Sequence, residues 1–362
     1  RVSQVSNDNI TTSYSYDIHG NVKELRHEVP NFGQVSLEYD YDLVSGNVKE
    51  VVYQKGKLDE FHHKYSYDAD NRIRQVYTSE YGRVWDNDAT YHYYAHGPLA
   101  RIELGNDDIQ GLDYYYTLQG WIKGVNMPGD VAGQYDLGHD GKIGHTHQYF
   151  ARDEYAYALG YHEQDYNPIG QNVTLAPSLQ NTWNDMDANI KDRNYGSSGS
   201  VTGLFNGNIA YMLTDLPKLA QQGISDRMNG MAYEYDALHR IREAKSYKFA
   251  GGAWQTHSSA TAHNNYNVSY TYDANGNIKT LKRNSLVNTT TPIGYMDDLE
   301  YFYNREANGD LINNRLDYVK DHATTAAPGT TGYLGDMQQG NTAYKFDEIG
   351  NTHIFFFGHI CL

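Results

Sequence analysis

At 362 residues the chain is longer than one ordinary core serves, which leaves two domains or one elongated repeat structure. Its net charge of −16, with no basic run longer than Lys282-Arg283, argues against a nucleic-acid partner and against anionic membrane surfaces. The single cysteine, Cys361, rules out an intrachain disulfide framework and a cysteine-based zinc site, and no stretch approaches the roughly 20 apolar residues of a membrane span.

The chain is polar, with 39 % hydrophobic residues, yet it holds 35 tyrosines. Tyrosine buries a ring and keeps a hydroxyl for water or a hydrogen bond. A Tyr-rich, Gly-rich, Lys-poor composition points to β-structure with half-exposed aromatic rungs.

Residues 1–126 carry a repeated tetrad. Tyr14-Ser15-Tyr16-Asp17, Tyr39-Asp40-Tyr41-Asp42 and Tyr65-Ser66-Tyr67-Asp68 are followed by the degenerate YHYY at 91–94 and YYYT at 114–117. The starts at 14, 39, 65, 91 and 114 lie 25, 26, 26 and 23 residues apart. In each copy the two tyrosines share one face of a strand, because strand side chains alternate. Asp17 to Gly20-Asn21 supply turn chemistry, as do Asp42 and Gly46 in the next copy and Asp68 in the third. Val22 to Leu25 is then the return strand of a β-hairpin with a loop of about four residues. Val22 and Leu25 are three apart, so strict alternation fails there, and a bulge or an early strand end is expected to absorb the mismatch. His62-His63, just before the third copy, reads as surface.

Residues 127–215 read as modified repeats with a loop insertion. Just before them, Gln119-Gly120-Trp121 stands in place of the Gly-Asn turn, and 167–203 is rich in Asn, Gly, Ser and Pro. Within LGHDGKIGHTHQYFARDEY at 137–155 lie His139, Asp140, His145, His147 and Asp153. If 144–148 is a strand, His145 and His147 share a face, and with His139 and Asp153 they are candidate metal ligands for a metal-dependent hydrolase. Sixteen histidines make such a spacing easy to reach without function, so the expectation is no metal, no cofactor and no catalysis. DGKIG and DANGN lack the alternating acids and distal Glu of a calcium loop.

Residues 216–352 return to the repeat with Tyr233-Glu234-Tyr235-Asp236, Tyr270-Thr271-Tyr272-Asp273 and its Gly276, a degenerate YFYN at 301–304, and the variant Tyr344-Lys345-Phe346-Asp347 with Gly350. A second loop is expected over 321–341. Residues 353–362 form an apolar tail that lacks the charges following the other copies. Both ends read as cuts through a longer protein, a buried C-terminal strand being the other reading of the tail. The run Ile354-Phe355-Phe356-Phe357 is expected to promote aggregation.

A lone hairpin is marginal in water, so copies are expected to stack into a continuous coiling sheet with nearest-neighbour stability. YSYDIHGNVKEL, YDYDLVSGNVKEV, YSYDADNRIRQV, YEYDALHRIREA and YTYDANGNIKTL resemble the YD repeats of Rhs proteins. That family spans bacterial polymorphic toxins, C components of insecticidal toxin complexes, and teneurins. The likeness covers about residues 10–352 and implies an all-β fold, with hairpins stacked into a long coiled ribbon forming part of a hollow shell. It also implies a secreted or cell-surface bacterial protein. Its partners would be the remaining parts of the same polypeptide and an enclosed C-terminal domain.

The family's self-cleaving core is not matched, since there is no Asp-Pro dipeptide. Repetition of the aspartate favours a turn role over catalysis, because a catalytic acid is needed once in a tuned environment. No G-x-S-x-G, P-loop or dinucleotide fingerprint is present. The expectation is a non-catalytic shell segment, the alternative a module that binds cell-surface glycans or proteins through exposed tyrosines.

Overall fold

The computed structural model describes residues 1–7, 10–129, 136–162, 165–166, 204–217, 227–256, 266–284 and 295–323. The repeat variant with Tyr344, Phe346, Asp347 and Gly350, the expected loops over 167–203 and most of 321–341, and the apolar tail lie outside these residues. Among the described residues no helix is long and apolar enough to cross a membrane.

The fold is all-β and antiparallel, in two compact units. The first comprises residues 1–116, 124–127 and 136–153. Its strands are β1 (Gln4–Ser6), β2 (Thr11–Tyr16), β3 (Val22–Val29), β4 (Gly33–Tyr41), β5 (Val48–Tyr53), β6 (Phe61–Tyr67), β7 (Ile73–Glu80), β8 (Asp86–Tyr93), β9 (Leu99–Leu104) and β10 (Gln110–Tyr116). Each pairs with the next in sequence, so the sheet is an uninterrupted meander from β1 to β10. β11 (Ile122–Val125) is divided between the units.

The second unit comprises residues 117–123, 128–135 and 154–362. Its strands are β12 (Ala156–Gly160), β13 (Tyr211–Asp215), β14 (Met228–Tyr235), β15 (Ile241–Ala250), β16 (Ala253–Thr256), β17 (Val268–Tyr272), β18 (Ile278–Asn284), β19 (Tyr295–Arg305) and β20 (Leu311–Asp321). They form a second meander, in which β16 and β17 share the free side of β15.

The expected bulge is present and recurs. Tyr14 faces Leu25 and Tyr16 faces Val22, so Lys23 is the extra residue on the return strand. The same register shift falls immediately before Tyr41, Tyr67, Tyr93, Tyr235, Tyr272 and Tyr303. One extra residue turns a three-residue spacing into two inward positions, which places Val22 and Leu25 on the tyrosine face.

Most side chains of β2 to β7 are half-buried, as expected of a sheet with little covering it. In the second unit the core is deeper, with Ala158, Leu213, Met228, Tyr247 and Trp254 buried.

Candidate functional site

Two arrangements stand out, the repeated turn with its tyrosine and a single buried acidic cluster. In the turn, Asp17 N–H donates to the Asn21 carbonyl and Gly20 N–H returns to the Asp17 carbonyl. Asp68, Asp236 and Asp273 close the same pair of bonds, Asp42 closes a loop one residue longer through Asn47 and Gly46, and Thr117 with Trp121 keeps the shorter pattern where Gly-Asn is missing. The position that closes the turn needs positive φ, which Gly20, Gly46 and Gly276 supply at +103°, +75° and +91° and Asn71 and His239 adopt at +62° and +63°.

The aspartate side chain then caps the loop. Asp68 Oδ1 accepts from Asp70 and Arg72 N–H, and Oδ2 accepts from Arg72 Nε at 2.7 Å; Asp236 treats Leu238 and Arg240 identically. All five repeat aspartates are held below the usual carboxylate range. For Asp42, Asp68 and Asp236 a turn N–H (of Ser45, Arg72 or Arg240) is the leading cause; for Asp17 and Asp273 burial opposes, and donors from Asn21 and Asn277 outweigh it.

Successive hairpins are joined by the second tyrosine of the tetrad. Its hydroxyl donates to the carbonyl of the first return-strand residue of the preceding hairpin: Tyr41 to Val22, Tyr67 to Val48, Tyr93 to Ile73, Tyr272 to Ile241 and Tyr303 to Ile278, at 2.7–2.9 Å. Tyr16 reaches Val2 in the same way. The first tyrosine stacks beside the second, with centroids 6.4 Å apart for Tyr39–Tyr41 and 6.3 Å for Tyr270–Tyr272. Tyr65 and Tyr233 hold the same place in their copies, on β6 and β14. Arg72 and Arg240 reinforce the joint, lying 4.4 Å and 4.5 Å over the rings of Tyr93 and Tyr272.

The rule also uncovers one copy that the tetrad search misses: Tyr235 donates to Ile209, so Asn208-Ile209 occupies the place of Asn21-Val22 with no tetrad before it. Tyr161 donates to Ile122 in the same way, which completes the degenerate copy at 114–117 through its Trp121 turn. The hidden signal was Gly207, one polar residue, then an isoleucine.

The acidic cluster lies wholly in the first unit. Arg101 on β9 is 5 % exposed and spends each guanidinium nitrogen on a different carboxylate: Nη1 on Asp113 of β10 at 2.6 Å, Nη2 on Asp140 at 2.8 Å, Nε on Glu103 at 3.1 Å. Phe150 covers the guanidinium, its ring centroid 4.8 Å away. Asp136 accepts Gly138 N–H on Oδ1 and Asp140 N–H on Oδ2. A β-carbon on Gly138 would fall 2.3 Å from both Arg101 Nη1 and Asp113 Oδ2, and one on Gly111 2.4 Å from Asp140 Oδ2, so these glycines are required by close packing.

Burial pushes the Asp113 carboxyl up to about 6 against the pull of Arg101, with Asp136 and Asp140 adding to the rise. Asp153 is pushed up to about 9, by burial first and then by the Asp136 charge beside it. Burial also raises Asp140, although Arg101 opposes it.

Of the candidate metal ligands, 144–148 is a run of turns and not a strand, so His145 and His147 do not share a strand face. The glycines at 138, 141 and 144 let the chain fold back on itself: Lys142 N–H returns to His139 and His145 N–H to Lys142. His145 packs edge-on to His139 with centroids 4.3 Å apart. His147 turns away, donating Nδ1–H to the Gly138 carbonyl. Asp153 faces Asp136. Among the described residues no three His, Cys, Asp or Glu converge as metal ligands. His62 is not a surface residue either. Its side chain is 12 % exposed, with Nδ1 2.7 Å from Glu50 and Nε2 2.8 Å from Glu60, and Trp85 stands edge-on to its ring.

No protein-family model matches the chain, and no curated protein matches it by sequence. Among solved structures it is similar to TcdB2-TccC3 without its hypervariable C-terminal region, at 12 % identity and a TM-score of 0.51, over 97 % of this chain and 14 % of that one. It overlaps more weakly with the Photorhabdus luminescens Tc holotoxin pore (TM-score 0.36, 10 % identity, 97 % and 19 % of the two chains) and with TcdB2-TccC3-Cdc42 (TM-score 0.34, 11 % identity, 89 % and 16 %). The chain thus spans about a seventh of the length of the first of these. The likeness is one of fold: the antiparallel hairpin sheet of a toxin-complex chain.

Proposed function

We propose that this chain is a wall segment of an Rhs-type YD-repeat shell, which encloses or presents another domain and performs no chemistry itself. The observation that carries the reading is the tyrosine joint. Each copy completes the one before it through a side chain to a backbone carbonyl, and the bond is made between hairpins rather than toward a cleft. A unit of this kind gains stability by being extended and has no reason to converge on a single site. The toxin-complex fold likeness supports the same reading, and with it a secreted or surface location and partners that are other parts of one large assembly.

The test is limited proteolysis of the full reading frame that carries this segment. A C-terminal fragment that resists protease until the shell is denatured is the expected result. Free digestion of that fragment in the native protein would refute enclosure. The glycan-binding alternative is weakened because the hydroxyl of the second tyrosine in each of these copies is spent on a carbonyl. A glycan array probed with this chain is expected to stay blank at millimolar ligand.

A further inference from the structure

At one rim of the first unit lie the loops between β3 and β4, β5 and β6, β7 and β8, and β9 and β10. Each holds an exposed apolar side chain, Phe32, Leu58, Val84 and Ile109, at spacings of 26, 26 and 25 residues. Exposed leucines scattered singly need no explanation, but a row in repeat register does. Sheet twist turns the outer two loops away from the middle pair, so Leu58 and Val84 are the part of the row that one surface can meet.

Leu58 is a fixed knob. It is 94 % exposed, yet its loop is tied on every side. Tyr81 O–H donates to the Leu58 carbonyl at 2.8 Å, and Lys57 Nζ donates to the Gln34 carbonyl at 2.9 Å and to Gln54 Oε1 at 2.7 Å. Glu60 N–H closes back on the Lys57 carbonyl, and Gly56 N–H donates to the Glu60 carboxylate. Tyr81 holds its place at φ +58°, a left-handed conformation that disfavours a bulky ring. Beside the knob lies a hole. A cleft of about 440 Å³ opens at the β7–β8 turn, lined by Phe61, Thr78, Tyr81 and Val84 among others. Asp59, next to the knob, and Arg83, on the cleft, are both exposed. Among the described residues neither side chain makes an ion pair or hydrogen bond.

We propose that this rim is a docking surface for a second copy of the chain, each copy seating its Leu58 in the other's cleft about a two-fold axis. Knob and hole are neighbours on one molecule, joined by the Tyr81–Leu58 bond, so one rotation satisfies both copies at once. The same rotation brings Asp59 of each copy to Arg83 of the other, which pairs both free charges. An unrelated partner would have to supply knob, hole and both charges, whereas a second copy already carries them. A leucine held rigid before contact loses little freedom on docking, as an anchor requires. The contact is small against the roughly 1,200 Å² of a specific stable interface, so the dimer is weak, with a Kd of about 10–100 µM. It involves only the rim of one unit and is independent of the wall proposal.

The experiment is sedimentation equilibrium of the whole chain at concentrations spanning that Kd, in about 0.15 M salt, where repulsion between the acidic copies is screened beyond about 8 Å. Wild type is expected to pass from monomer to dimer and no further. Leu58→Asp should weaken association at least about tenfold. D59R and R83D should each weaken it at least about fivefold, and the double variant D59R/R83D should return to within about twofold of wild type. All three positions are exposed, so the fold is expected to tolerate each change. A wild-type chain that stays monomeric overturns the proposal. So does association that Leu58→Asp leaves unchanged, because the contact would then lie elsewhere. Growth beyond the dimer, or a double variant no stronger than either single one, overturns the two-fold arrangement.

Discussion

Replacing Tyr67 with phenylalanine removes one hydrogen bond, to the Val48 carbonyl, and leaves the ring in place. The expected cost is about 1 kcal/mol, the net worth of a part-buried bond whose partner is left short of a donor. Tyr149→Phe, at a ring 80 % exposed, is the control and should cost nothing measurable in urea unfolding. The turn aspartates make a second prediction at this scale. Their folded values are lowered, so their contribution is complete above the ordinary aspartate value and is lost as pH falls through the depressed one. Stability should therefore drop as pH falls below about 4. A protein with Asn at positions 17, 42, 68, 236 and 273 should show a shallower drop in the same range. Gly46 isolates the backbone term, since φ is +75° and a β-carbon there would meet nothing within 4 Å. Gly46→Ala should cost roughly 1–2 kcal/mol from conformation alone, read as a shift in the urea midpoint.

Between strands, His62 joins β5, β6 and the loop after β5 through Glu50 and Glu60. Burial opposes its charge, but Glu60 and Glu50 outweigh burial and raise it. A raised histidine contributes fully below the ordinary value near 6.5 and loses its contribution as pH rises through the folded value. Wild type should lose more stability than His62→Gln between pH 6 and pH 9; parallel losses would show that the link contributes nothing. The hairpins themselves were legible because Tyr-x-Tyr-Asp and Gly-Asn act locally, through alternation and positive φ. Even the bulge was legible, from two aliphatics three residues apart. What the sequence hid was the partner of each tyrosine hydroxyl, a backbone carbonyl that any residue could supply. The acidic cluster was hidden for a different reason. His139, His145, His147 and Asp153 drew attention by type, whereas Arg101, 39 residues before Asp140, organises the site through contacts that only the fold creates.

Across the molecule, contacts are made chiefly between sequence neighbours, so stability is expected to be distributed along each meander. Hydrogen exchange should resolve several opening free energies rather than one, and Tyr67→Phe should loosen hairpins near Val48 while leaving those around Tyr272 protected. A single cooperative transition with uniform protection would contradict this.

The tyrosine joint also has a direction in time. Val22 is engaged by a residue 19 positions later, Val48 by one 19 later, and Ile241 by one 31 later. A chain leaving the ribosome N-terminus first therefore always carries one unfinished hairpin, secured only when the following copy has emerged. Folding along the ribbon should trail synthesis by one repeat, and a stalled chain should expose to protease its last hairpin and no other.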